Sequence, residues 1–135
     1  MRSEPFIDTN VLVYALSLDP ARGEAAKAIL ARGGVISVQV ANEFVDVSRR
    51  KLRWAWEDVL AALDSIRAVL GKPVPLTDET HQFAVEIARR YRLSIYDGLI
   101  LSAAKYARCG VLYTEDLQNG QTIEGVLVRN PFAEA

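Results

Sequence analysis

The segment Phe6-Ile7-Asp8-Thr9-Asn10-Val11-Leu12-Val13-Tyr14-Ala15-Leu16 decides how the rest of the chain is read. Two apolar residues run into three polar ones, and a second apolar stretch follows. We read a brief buried strand ending near Asp8, then a helix starting around Asn10, although periodicity alone also allows one long strand. The same alternation of short apolar pieces and longer helical patterns recurs downstream. Asp19-Pro20 has the chemistry of a helix start, with Asp as cap and Pro at the first helical position. That helix is expected to run through Ala25, Ala26, Ile29 and Leu30 to Gly33-Gly34. Val35-Ile36-Ser37-Val38 reads as a second strand, and Ser37 as the cap of a helix through Asn42, Glu43, Phe44 and Val47 to Lys51.

A helix over about 55–70 is expected to bury Val59, Leu60, Leu63, Ile66, Val69 and Leu70. Val74-Pro75-Leu76 is a short extended piece at a sheet edge, because proline cannot donate to a ladder. Thr77-Asp78-Glu79 opens a helix carrying Phe83, Ala84, Ile87, Ala88 and Tyr91 at helical spacing. Another helix is predicted from Asp97 to about Arg108, followed by strands at Val111-Leu112-Tyr113 and Val126-Leu127-Val128. Short apolar strands separated by helices imply βαβ units, hence a mostly parallel central sheet covered on both faces. The expected fold class is α/β, a three-layer α/β/α sandwich.

Composition agrees with one domain over residues 1–135, with 50% hydrophobic and 24% charged residues, and excludes wholesale disorder. The single cysteine, Cys109, cannot form an intrachain disulfide and suits a reducing compartment. Glu4, Asp8 and Asn10 interrupt any secretory signal, and no apolar run approaches the ~18 residues of a membrane helix. A cytoplasmic protein with no membrane partner is expected. The formal net charge is −1, from 16 basic and 17 acidic side chains. If four acids neutralise a metal, 13 remain against 16 basic residues, a mild attraction for a polyanion and no more.

Parallel sheets place ligands at the carboxyl ends of their strands. Asp8 and Asp116 fall just after two predicted strands. Glu43, in the helix after the second strand, and Asp97, at a helix start, can reach the same edge. Each also has an ordinary explanation: Asp97 as a cap, Asp8-Thr9-Asn10 as a polar turn, Asp116 as a turn residue before Asn119-Gly120. Glu43 is harder to dismiss, because apolar neighbours flank it on a helix expected to pack, and a buried carboxylate needs a cation or a proton. Clustered carboxylates without cysteine or histidine suit Mg²⁺, which prefers oxygen ligands and keeps several waters. His81, the only histidine, reads as a surface or half-buried helix residue, and Cys109 as a small core residue.

Phe6-Ile7-Asp8-Thr9-Asn10-Val11-Leu12 resembles the opening of PIN-domain nucleases, and Val40-Ala41-Asn42-Glu43-Phe44 resembles their second acidic motif. Leu93-Ser94-Ile95-Tyr96-Asp97-Gly98-Leu99-Ile100 is similar to the third. Tyr113 to Gly120, running on to Asn130-Pro131-Phe132, is similar to the fourth motif and tail of VapC-type toxins. Four motifs in the right order cover nearly the whole chain. The resemblance implies a magnesium- or manganese-dependent endoribonuclease, the toxin of a toxin–antitoxin pair, with RNA as substrate, a cognate antitoxin as partner and a homodimer as assembly. It implies Asp8, Glu43, Asp97 and Asp116 as the catalytic and metal-holding quartet, supported by Asn10 and Thr114. Glu115 competes for the fourth position; Asp116 is preferred because it keeps the family's two-residue step from Thr114.

Arg49-Arg50-Lys51-Leu52-Arg53, followed by Trp54 and Trp56, can grip phosphates and stack bases. It can equally be a solvated helix end with packed tryptophans, and Arg89, Arg90 and Arg92 share that ambiguity. A phosphoacceptor receiver domain would need a lysine just after a late strand, and none follows Tyr113 or Val128. A catalytically silent RNA- or protein-binding module of the same fold is the remaining alternative.

Overall fold

The computed structural model describes residues 2–133. In chain order the elements are β1 (Phe6–Ile7), α1 (Thr9–Leu16), α2 (Gly23–Arg32), α3 (Val38–Arg50), α4 (Trp56–Leu70), α5 (Asp78–Tyr91), α6 (Ile95–Tyr106), β2 (Val111–Tyr113), β3 (Thr122–Ile123) and β4 (Val126–Arg129). The sheet order is β1-β2-β4-β3. β1 runs parallel to β2, with Phe6 opposite Leu112, and β2 runs parallel to β4, with Leu112 opposite Val128. Only β3 is antiparallel, joined to β4 by Glu124-Gly125. Both of those residues have positive φ, 51° and 82°, as a two-residue hairpin requires, and the second is the glycine that adopts it without strain.

Successive strand residues face opposite sides of a sheet, and Phe6 and Ile7 are both 0% exposed. Both faces of the sheet are therefore covered, which is the expected α/β/α layering. α6 packs on β2 and β4, and α5 lies along α6; α1 packs with α2 and α3, and α3 with α4. The closest helix pair depends on Gly98, where an added Cβ would meet the Ala84 carbonyl oxygen at 2.5 Å.

Several expected boundaries are corrected. Asp19 does not cap a helix at Pro20: its carboxylate accepts the amides of Ala21 and Arg22 in a turn, and α2 begins at Gly23. The strand expected at Val35–Val38 shrinks to isolated bridges, Phe6 to Val35 and Ser37 to Val74. The reason is local, since the Ser37 hydroxyl accepts the Val40 amide and turns the chain into α3 at once. Val74 thereby sits at the edge, as Pro75 suggested. Helix α6 starts at Ile95, two residues before Asp97. In α4, Leu60 and Val69 are exposed, not buried. Val59, Ala62 and Ile66 form a stripe at helical spacing, and Leu60 lies off it; Val69 continues the stripe but is exposed in the last turn of the helix. β3 was missed because two residues carry no periodicity.

Candidate functional site

Asp8 stands where β1 gives way to α1. Its backbone N–H continues the ladder to the Tyr113 carbonyl at 3.0 Å, and its carboxylate caps α1 by accepting the Thr9 N–H at 2.7 Å. The other carboxylate oxygen accepts the Thr114 hydroxyl at 2.8 Å. The side chain is buried, and burial pushes its pKa up to about 7. The bonds from Thr114 and Thr9 oppose that rise, while repulsion from Asp116 and Glu43 adds to it.

Glu43 reaches the same place from α3. It is half-buried rather than buried, and it is not unpartnered: the Thr9 hydroxyl donates to it at 2.7 Å and Gln39, one helical turn earlier, at 3.3 Å. Asp97 is the third residue of α6. Ser94, not Asp97, caps that helix, its hydroxyl accepting the Asp97 N–H at 3.1 Å. Burial chiefly raises the Asp97 pKa, Asp116 and Glu43 raise it further, and Ser94 lowers it. Asp116 lies in the loop after β2, its N–H donating to the Thr114 hydroxyl at 3.0 Å and its carboxylate accepting from the Asn10 amide at 3.1 Å.

These four acids, from four separate chain segments, line one cavity of about 480 Å³ together with Asn10 and Lys51. Thr114, 0% exposed, is the hub: it donates to Asp8 and accepts from Asp116 and, at 3.4 Å, from Asn10. The adjacent Glu115 is held elsewhere, accepting from the Tyr14 hydroxyl and pairing with Arg22 at 3.6 Å. Asp116, and not Glu115, is the carboxylate that lines the cavity.

The sequence profile of the PIN domain matches residues 6–119. The chain belongs to the PIN domain family. A comparison with curated proteins gives no match. Among solved structures, the PIN chain is similar to a toxin–antitoxin complex from Klebsiella pneumoniae, with TM-score 0.72 and 21% identity over 95% of this chain and 98% of that one. VapBC2 from Rickettsia felis, bound to a DNA fragment from its promoter, gives TM-score 0.66 and 23% identity over 93% and 96% of the two chains. VapC20 from Mycobacterium tuberculosis, a sarcin–ricin loop cleaving toxin, gives 0.67 and 20% over 84% and 92%. Identities this low establish the shared fold, and the receiver-domain reading falls with it.

The donor set of this PIN domain fits a hard divalent cation. These four acids, and Asp46 at the cavity wall, offer oxygen alone, and the buried Asn10 Oδ1 has no hydrogen-bond partner among the described residues. Among the described residues no three acids are gathered tightly enough to enclose an ion unaided. An ion held here would need waters or substrate phosphate to complete its oxygen shell.

Thr9, Gln39, Ser94 and Tyr14 were missed as supports. Gln39 and Ser94 had legible signals, the i, i+4 spacing from Glu43 and the cap position three residues before Asp97; Thr9 and Tyr14 act across segments. The basic cluster is largely a helix end. Arg50 pairs with Asp46 at 2.8 Å, Arg49 donates to the Trp54 carbonyl at 2.8 Å, and Trp54 packs edge-on against Phe44. Trp56 is 52% exposed beneath the Arg49 guanidinium, and Lys51 alone of the cluster lines the cavity. Arg90 pairs with Glu124, Arg92 ends α5, and His81 is exposed.

Proposed function

We propose that this PIN domain, spanning residues 1–135, is a metal-dependent endoribonuclease and the toxin of a toxin–antitoxin pair. The observation that carries the reading is the convergence of Asp8, Glu43, Asp97 and Asp116 on one cavity, with their charges perturbing one another. Asp8, Asp97, Asp116 and Glu43 are proposed to hold Mg²⁺, or Mn²⁺ in its place. Such an ion supplies an activated water and stabilises the leaving oxygen of a phosphodiester. Thr114 and Thr9 keep Asp8 and Glu43 aimed at the cavity, and Asn10 does the same for Asp116. Among the described residues Lys51 is the only cation lining it, and attracts an RNA phosphate that the acids alone would repel.

The cognate antitoxin, a homodimeric assembly and a cytoplasmic location belong to the same proposal. The toxin–antitoxin and VapBC neighbours support the antitoxin partner. No helix among the described residues is long and apolar enough to cross a membrane. The test is incubation of the purified protein with structured RNA, in Mg²⁺ and in excess chelator. Cleavage that needs the metal and disappears in Asp97→Asn supports the reading. RNA binding without turnover in Mg²⁺ or Mn²⁺ favours the catalytically silent alternative.

A further inference from the structure

Two carboxylates, Glu115 and Asp116, follow Thr114 directly, and either could in principle swing toward the cavity. One face of α1 receives both. Asn10 and Tyr14 are four residues apart, so they lie one above the other on that helix. The Asn10 amide holds Asp116, and the Tyr14 hydroxyl holds Glu115. Tyr14 is itself fixed: Phe132 packs edge-on against its ring at 5.1 Å, and the Arg22 guanidinium lies 5.2 Å from the ring centroid. Arg22 also pairs with the Glu115 carboxylate, and the Asp19 turn before α2 holds the Arg22 backbone in place. Glu115 is thus gripped by two donors from two chain segments, outside the carboxylate cluster.

We propose that Glu115 is a positioning residue, and that Tyr14 with Arg22 sorts the two neighbouring acids so that Asp116 alone enters the metal site. The physical reason is register. Beyond the Thr114 N–H bond to the Arg129 carbonyl, the Glu115–Leu117 segment belongs to no strand among the described residues. Its bearing is set by side-chain anchors, and holding Glu115 on Tyr14 and Arg22 removes the rotation that would carry Asp116 out of the cavity. This rests on the proposed metal site, but the clamp makes a claim about the loop that needs no metal.

The experiment therefore has two arms on the whole protein. Mn²⁺ affinity is measured by calorimetry for wild type, Glu115→Ala, Glu115→Gln, Tyr14→Phe and Asp116→Asn. Amide hydrogen exchange across residues 114–117 is followed in chelator for the same set, beside thermal melts. Glu115→Ala and Tyr14→Phe should weaken Mn²⁺ binding about tenfold, the scale of losing an outer-shell orienting bond. Both should speed exchange of the Asp116 amide. Glu115→Gln keeps an acceptor for the Tyr14 hydroxyl and should stay within about twofold of wild type, on the same outer-shell scale. A loss in Glu115→Gln as large as in Asp116→Asn would make Glu115 a direct ligand and overturn the proposal. Lower melting temperatures with unchanged exchange at Asp116 would also overturn it, leaving an ordinary structural contact. Wild type that binds no Mn²⁺, while exchange at Asp116 quickens in Glu115→Ala and Tyr14→Phe, removes the metal reading and supports the clamp.

Discussion

Asp8→Asn should stabilise the metal-free protein at pH 8. The Asp8 pKa is pushed from 3.8 to about 7 in the folded state. The folded protein therefore holds this proton more tightly than the unfolded chain does. The contribution is fully present below the unfolded value of 3.8 and is lost as pH rises through about 7. A gap of roughly 3 units corresponds to about 4 kcal/mol of penalty once Asp8 is ionised. Asparagine removes that penalty at a cost. Its oxygen can still accept the Thr9 amide, but its nitrogen would face the Thr114 hydroxyl, which now donates to the carboxylate at 2.8 Å. Thr114 already accepts from Asp116 and Asn10, so its own proton would lose its acceptor, at about 1–3 kcal/mol. A net gain of about 1–3 kcal/mol remains, or ~4–10 °C in melting temperature for a domain of this size. Melts in chelator at pH 5 and pH 8 read the effect. Wild type should lose stability between those values, and Asp8→Asn should lose less, with the remaining slope owed partly to Asp97. Added Mn²⁺ should raise the wild-type melt and leave the variant nearly unmoved. An Asp8→Asn protein that melts below wild type at pH 8, with the same pH slope, would refute the reasoning and make Asp8 a plain helix cap.

The other expectations are narrower. At matched folding and saturating metal, Asp116→Asn should reduce RNA turnover more than Glu115→Gln, since only Asp116 lines the cavity; single-turnover assays compare the two. Cleavage should proceed with Mg²⁺ or Mn²⁺ and poorly with Zn²⁺, because an oxygen-only donor set suits hard cations; a metal titration after exhaustive chelation checks it. Gly98→Ala should destabilise by about 1–3 kcal/mol despite alanine's better helix propensity, since the new methyl meets backbone rather than a side chain that can move. Denaturant unfolding measures that loss, and an unchanged midpoint would mean that α5 and α6 separate freely.

What the sequence determined by itself was whatever local chemistry dictates. Phe6-Ile7 before a polar break gave β1 and the α1 start, Thr77 gave the cap of α5, and Val111–Tyr113 gave β2. Asp8, Asp97 and Asp116 were legible because each sits beside an element end that the pattern already marked, and Glu43, inside α3, because apolar residues flank it. Tertiary structure decided the rest, wherever one short signal competed with another. Ser37 was compatible with a strand and with a cap, and its hydroxyl bond to Val40 settled the matter in favour of the helix. Leu60 and Val69 looked as apolar as Val59, but only the packing of α4 on α3 and α2 determines which are buried. Along the chain only the family's two-residue step from Thr114 favoured Asp116 over Glu115, since neighbours share the local chemistry. Their separation comes from partners about a hundred residues away, Tyr14 for one and Asn10 for the other. A hydrogen bond across such a gap depends on how β1 and β2 register, and spacing in a sequence does not encode that distance.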